Sequence, residues 1–186
     1  MSYLHASEIP DELRARAARV RLVAFDVDGT LSDGRLWYGD KMEIKSFHVL
    51  DGLGMKLLRD YDIEVALITA RESPVVQARA RELGLRHLYQ GSRDKVDALE
   101  HLTRSLQISD EQVAYMGDDL PDLPILQRVG LSAAPANAHP WIRERVYWCS
   151  SARGGEGAAR ELCDIVLAAQ GHAKTILHRF LPGGGE

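Results

Sequence analysis

The stretch LVAFDVDGTLSDG, residues 22–34, places Asp26 and Asp28 two positions apart, directly after the apolar run of residues 22–25. Ionised carboxylates at the end of a buried element are costly unless something neutralises them. Three more polar groups follow the same plan. LITAR (67–71) delivers Thr69 and Arg71, SRDK (92–95) delivers Lys95, and MGDDLPD (116–122) delivers Asp118, Asp119 and Asp122. Each group follows an apolar segment, and in open parallel sheets ligands bind outside the carboxyl ends of the strands. Carboxylates converging from two strands repel unless a cation sits between them, and hard oxygen ligands with room for water and phosphate oxygens suit Mg²⁺.

That set of residues is expected to transfer a phosphoryl group. Asp26 and Asp118 each supply a carboxylate oxygen to the ion, and Asp28 its backbone carbonyl. Asp26 is then placed for in-line attack on phosphorus, giving an aspartyl phosphate. Asp28 protonates the leaving oxygen and later deprotonates the attacking water. Thr69 and Lys95 stabilise charge on the phosphoryl oxygens. Singly, each part has a plainer explanation: a solvated turn for DVD, a helix cap for Thr69, a surface lysine for Lys95, an acidic turn for GDD. The four together, in this order at strand ends, point to the chemistry.

The elements that must position these groups alternate. A short polar helix is predicted over 10–19, where Pro10 suits a first turn followed by Asp11 and Glu12. Strands are expected at 22–26, EVALIT (64–69), HLYQ, QVAYMG (112–117), LSAAPA and VYWC. Between them lie helices at DGLGMKLLRDYD, SPVVQARARELG (73–84), RDKVDALEHLTRSL, PDLPILQRV, near 138–144 and over 156–169. Ser73, Pro74 and Gly84 mark the third helix as cap, first position and end. Residues 34–47 alternate loosely around YGDK and read as a β-hairpin, the insertion most out of rhythm. Strands alternating with helices indicate a parallel sheet covered on both faces.

Composition sets the outer bounds. The 186 residues suit one domain, with 45% apolar and 27% charged residues. A net charge of −4 gives no basic footprint for nucleic acid. Cys149 and Cys163 lack metal-ligand spacing and read as reduced core thiols. No segment reads as a signal peptide or a membrane span, so a cytoplasmic protein with no membrane partner is expected. RGGEG (153–157) lacks the lysine and hydroxyl of a phosphate loop and is read as a tight start for the last helix. Trp141 and Trp148 read as core or interface residues.

FDVDGTLSDG, LITAR, RDK and YMGDDLPD resemble the four motifs of the haloacid dehalogenase superfamily of phosphatases, in the expected order. That resemblance implies a Rossmann-like three-layer α/β sandwich with a central parallel sheet and a minimal cap, the hairpin. It makes Asp26 the nucleophile, Asp28 the acid/base and Thr69 and Lys95 phosphate ligands, with Asp26, Asp28 and Asp118 on Mg²⁺. KSFHVLDGLGMK, HLYQGSRDK and RGGEGAARELCDIVLAAQG are similar to the small members that release phosphate from an eight-carbon sugar acid for lipopolysaccharide synthesis. The similarity implies substrate contacts at Asp28, His48, Val49, Leu50, Asp51, Gly52, Lys56, Arg71, Arg79 and Lys95. It also implies a homotetramer in which the hairpin and a neighbour's C-terminal segment close the site. Leu50 and Lys56 stand where that pattern often has Arg, and Ala70 where it has Gly. The chain is expected to be one phosphatase domain, 1–186, with a core over 20–171 and a flexible tail over 172–186. Three alternatives keep part of the pattern: a phosphatase of a nine-carbon sialic-acid-like sugar 9-phosphate, a receiver-type phospho-acceptor, and a non-catalytic module on the same fold.

Overall fold

A computed structural model describes residues 9–39 and 43–181. Six strands form one parallel sheet: β1 (Leu22–Phe25), β4 (Glu64–Ile68), β5 (His87–Tyr89), β6 (Val113–Met116), β7 (Leu131–Ala134) and β8 (Trp148–Cys149), in the order β5-β4-β1-β6-β7-β8. Strand β1 pairs in parallel with β4 from Leu22 opposite Glu64 and with β6 from Leu22 opposite Val113. Every residue of β1 and β6 is buried, as a central strand covered on both faces requires.

Alternation along β1 sorts the core into two layers. Val23 and Phe25 face one side, against α1 (Asp11–Ala17), α2 (Val49–Asp60), α3 (Pro74–Glu82) and α7 (Ala158–Ala169). Leu22 and Ala24 face the other, against α4 (Lys95–Leu106), α5 (Leu123–Leu126) and α6 (Pro140–Arg143). The helix ends obey local chemistry. The Ser73 hydroxyl accepts the Val76 N–H and the Asp94 carboxylate accepts the Val96 N–H, which fixes where α3 and α4 begin. Pro10 is the N-cap of α1 rather than its first helical residue.

The predicted hairpin is present as the antiparallel pair β2 (Trp37–Tyr38) and β3 (Glu43–Ile44); residues 40–42 of its expected turn lie outside the described residues. The expected flexible tail needs correction. Residues Ala173–Arg179 form a helix, α8, because Ile176 packs on the first core layer, His172 stacks on Tyr61 at 4.3 Å and Arg179 pairs with Asp60 at 3.2 Å. Residues 182–186 of that tail lie outside the described residues. Trp148 packs half-buried against the core, whereas Trp141 is exposed. Cys163 is buried and Cys149 half-buried, both free thiols. Among the described residues no helix is long and apolar enough to cross a membrane.

Candidate active site

The Asp26 N–H donates to the Met116 carbonyl at 2.9 Å, so Asp26 stays in register with β6 and its carboxylate sits at the carboxyl edge of the sheet. The chain then turns tightly: the Val27 carbonyl accepts N–H groups from Thr30, Leu31 and Ser32. Gly29 takes φ +95° in that turn, and a Cβ there would lie 2.1 Å from Asp118 Oδ2, so only glycine fits. Thr30 Oγ1 donates to Asp118 Oδ1 at 3.2 Å, joining the turn after β1 to the loop after β6.

Asp122 organises the interior of the site. Its Oδ2 accepts the N–H groups of Asp118 and Asp119, at 3.0 and 3.2 Å. Its Oδ1 accepts from the Tyr115 hydroxyl and from Lys95 Nζ, each at 2.6 Å. The same ammonium donates to Asp26 Oδ1 at 2.6 Å. Asp26, Asp118 and Asp122 each offer a carboxylate oxygen within 4.8 Å of the others.

The charges in this inner group do not balance. Three carboxylates face one ammonium in a largely buried space. Burial, with Asp122 adding repulsion that Lys95 only partly offsets, pushes the Asp26 carboxyl up to about 8. Burial and Asp122 likewise raise Asp118 to about 6. Burial opposes the charge of Lys95, but Asp26 and Asp122 outweigh it and hold the ammonium protonated. A divalent cation supplies the missing positive charge, and an all-oxygen donor set fits Mg²⁺.

Outside this group lies a second set whose charges do balance. The Asp28 carboxylate binds Lys45 and faces Arg71, while Glu43 binds both Lys45, at 3.2 Å, and Arg71, at 3.1 Å. Asp28 therefore turns its side chain toward the hairpin and away from the carboxylate cluster. Thr69 is buried between β4 and β5, its N–H on the Tyr89 carbonyl and its Oγ1 accepting the Arg71 N–H at 3.4 Å.

The expected substrate contacts divide. Arg71 reaches the rim, Lys95 lies buried against Asp26 and Asp122, and Val49 and Leu50 are exposed on the first turn of α2. His48 caps that helix, its carbonyl accepting from Arg79 Nη2 at 3.4 Å. Four residues are not brought to the carboxylates. Asp51 is buried between α2 and α7, accepting the Arg160 N–H at 2.8 Å. Gly52 is closed off, since a Cβ there would lie 2.4 Å from Arg79 Nη2. Arg79 itself is tied to Glu82 at 2.9 Å and lies over Phe47. Lys56 lines a separate surface cavity of about 510 Å³ with Arg59, Asp60, Arg179 and Phe180.

The sequence brought Asp122 to the rim without giving it a role, and it missed several other groups. Asp122 was one of three acidic residues in a turn, and only its position four residues after Asp118 hinted at a fold back onto that loop. Lys45, Tyr115 and Asn137 gave no signal. The RGGEG loop does start α7, with Gly157 as its N-cap, but it also backs the turn after β1. A Cβ on Gly154 would lie 1.9 Å from the Gly29 carbonyl oxygen. The Asn137 side chain joins the two loops, donating to that carbonyl at 3.1 Å and accepting the Gly154 N–H at 2.6 Å.

Comparison with known proteins agrees with this geometry. The haloacid dehalogenase-like hydrolase family matches residues 86–162. A 3-deoxy-D-manno-octulosonate 8-phosphate phosphatase of Yersinia pestis is 46% identical over 163 residues, 87% of this chain and 87% of that protein. Among solved structures, a hypothetical protein of Xanthomonas campestris has a TM-score of 0.92 at 55% identity, covering 98% of this chain and 100% of that one. The Moraxella catarrhalis 3-deoxy-D-manno-octulosonate 8-phosphate phosphatase, solved with magnesium, phosphate and KDO, has a TM-score of 0.90 at 39% identity, covering 93% and 100%. A phosphoryl-transfer site at the carboxyl edge of a parallel sheet, carried by a chain this similar along most of its length, belongs to the 3-deoxy-D-manno-octulosonate 8-phosphate phosphatase family of the haloacid dehalogenase superfamily.

Proposed function

We propose that the chain is a Mg²⁺-dependent phosphomonoesterase that releases phosphate from 3-deoxy-D-manno-octulosonate 8-phosphate, a step in lipopolysaccharide sugar synthesis. The observation that carries the chemistry is the inner group of Asp26, Asp118, Asp122 and Lys95, whose three carboxylates outnumber its one ammonium until a divalent cation joins them. The sugar is supported by the relatives, which are named for it.

Asp26, Asp118 and the Asp28 carbonyl hold Mg²⁺. Asp122 is left to hold Lys95, since its two oxygens already accept from four donors. When bound, the ion supplies the positive charge that lets an anionic phosphate approach the Asp26 carboxylate. An Asp26 oxygen forms a bond to phosphorus as the ester P–O bond breaks, and the Asp28 carboxyl gives its proton to the departing sugar oxygen. In the second half, Asp28 takes a proton from water as that water bonds to phosphorus and the Asp26–phosphorus bond breaks. Thr69 and Lys95 donate to the phosphoryl oxygens throughout, and Arg71 offers its guanidinium to the sugar acid.

The chain acts as one domain in the cytoplasm, in keeping with its two free thiols. It works as a homotetramer. Trp37, Tyr38, Ile44, Val49 and Leu50 are exposed beside the site, and a neighbouring copy covering them closes the substrate end. Light scattering is expected to give four times the chain mass; a monomer overturns the assembly.

The deciding experiment is phosphate release from the eight-carbon 8-phosphate, a nine-carbon sugar acid 9-phosphate and 4-nitrophenyl phosphate, with Mg²⁺ and with chelator. Metal-dependent preference for the eight-carbon ester is expected. Better turnover of the nine-carbon ester keeps the chemistry and replaces the sugar, and no release from any ester overturns the enzyme.

A further inference from the structure

Lys45 is a charged side chain beside the reacting groups to which the proposed chemistry gives no task. Its side chain is 0% exposed, although it directly follows β3 of an exposed hairpin. The ammonium donates to Asp28 Oδ1 and lies 3.2 Å from Glu43 Oε1. Glu43 also binds Arg71 Nη2, which donates in turn to the Tyr38 hydroxyl at 3.1 Å. A hydrogen bond from Ser73, with those from Lys45 and Arg71, holds the Glu43 carboxyl below its usual range. Arg71 Nε stands 3.7 Å from Asp28 Oδ2, beyond hydrogen-bond reach. The two oxygens of Asp28 are therefore unequal: Oδ1 is clasped and Oδ2 is left for a proton.

We infer that Lys45 is a positioning residue that clasps Asp28 by Oδ1, so that Oδ2 carries the proton between Asp28 and the leaving oxygen or water. The inference rests on the acid–base role proposed for Asp28. An ammonium suits the task because its three N–H groups serve two carboxylates at once. Glu43 holds the same ammonium from its other side, at 3.2 Å, and so fixes where Lys45 presents its N–H to Asp28. Because Lys45 belongs to the hairpin, Asp28 is oriented only while the hairpin is seated.

A leaving-group comparison separates positioning from folding. An alkyl oxygen needs a proton to depart, whereas a 4-nitrophenolate departs without one. Lys45→Met is expected to lower kcat/KM for the eight-carbon 8-phosphate about 100-fold and for 4-nitrophenyl phosphate less than about 5-fold, the span general acid catalysis allows. Lys45→Gln keeps an N–H donor and is expected to recover part of the loss on the sugar ester. Both esters meet the same folded molecules, so a smaller folded fraction cancels in the ratio. Equal loss on both esters, total loss included, makes Lys45 a structural residue and overturns the inference, as does no loss on either. A wild-type enzyme that cleaves the aryl ester but not the eight-carbon one overturns the substrate alone. The same ratio is then read with the best alkyl phosphate that enzyme does cleave.

Discussion

Asp26 shows how one residue carries both function and instability. In the metal-free protein its carboxyl is pushed up to about 8 by burial and by Asp122, against about 3.8 in the unfolded chain. Between those values the folded protein keeps a proton that the unfolded chain has released, so metal-free stability falls as pH rises from about 4 to about 8. Asp26→Asn removes that ionisation together with the proposed nucleophile. The variant is expected to have no turnover, and metal-free it should melt above the wild type at pH 8, with the gap closing at pH 5. Thermal scans at the two pH values check this; a variant melting below wild type at pH 8 removes the charge-imbalance account. The gathering of Asp26, Lys95 and Asp118 was legible in the sequence because each follows an apolar strand or opens a helix. The role of Asp122 and the presence of Lys45 were not, because their partners come from other segments: Lys95 lies 27 residues from Asp122, and Asp28 lies 17 residues from Lys45.

At the scale of elements, two-residue alternation and capping signals carried the prediction well. The six sheet strands fall where apolar runs placed them, and α3 opens at the predicted cap. What failed was α8: Ala173, Ile176, Leu177 and Phe180 repeat at i, i+3, i+4 and i+7, a stripe of barely two turns that reads in the sequence as part of a flexible tail. Loop-to-loop contact was equally invisible. Gly154 fits flush against the turn after β1, and no periodicity announces a contact between two loops. Gly154→Ala is expected to keep the fold but shift that turn, lowering kcat about 100-fold, as small misplacements of reacting groups do. Circular dichroism beside steady-state kinetics reads both halves. Near-normal kcat means the turn is set without this wall.

For the whole molecule, the strand order places β1 at the centre, flanked on either side by strands that follow it in the chain. The class of fold was readable from alternation alone, whereas the seating of its loops depended on how β1 is surrounded. The Asn137 amide reaches the Gly29 carbonyl across 108 residues, and Gly154 arrives later still. A closure of this kind costs loop entropy that must be met before the contact repays it. During synthesis, then, the nascent chain displays every reactive carboxylate well before it owns the wall that sets them. A chain halted on the ribosome short of residue 154 is expected to release no phosphate, a result that translation-arrested chains would reveal directly. Turnover is thus expected to begin only once residue 154 has been made and has seated against the turn after β1.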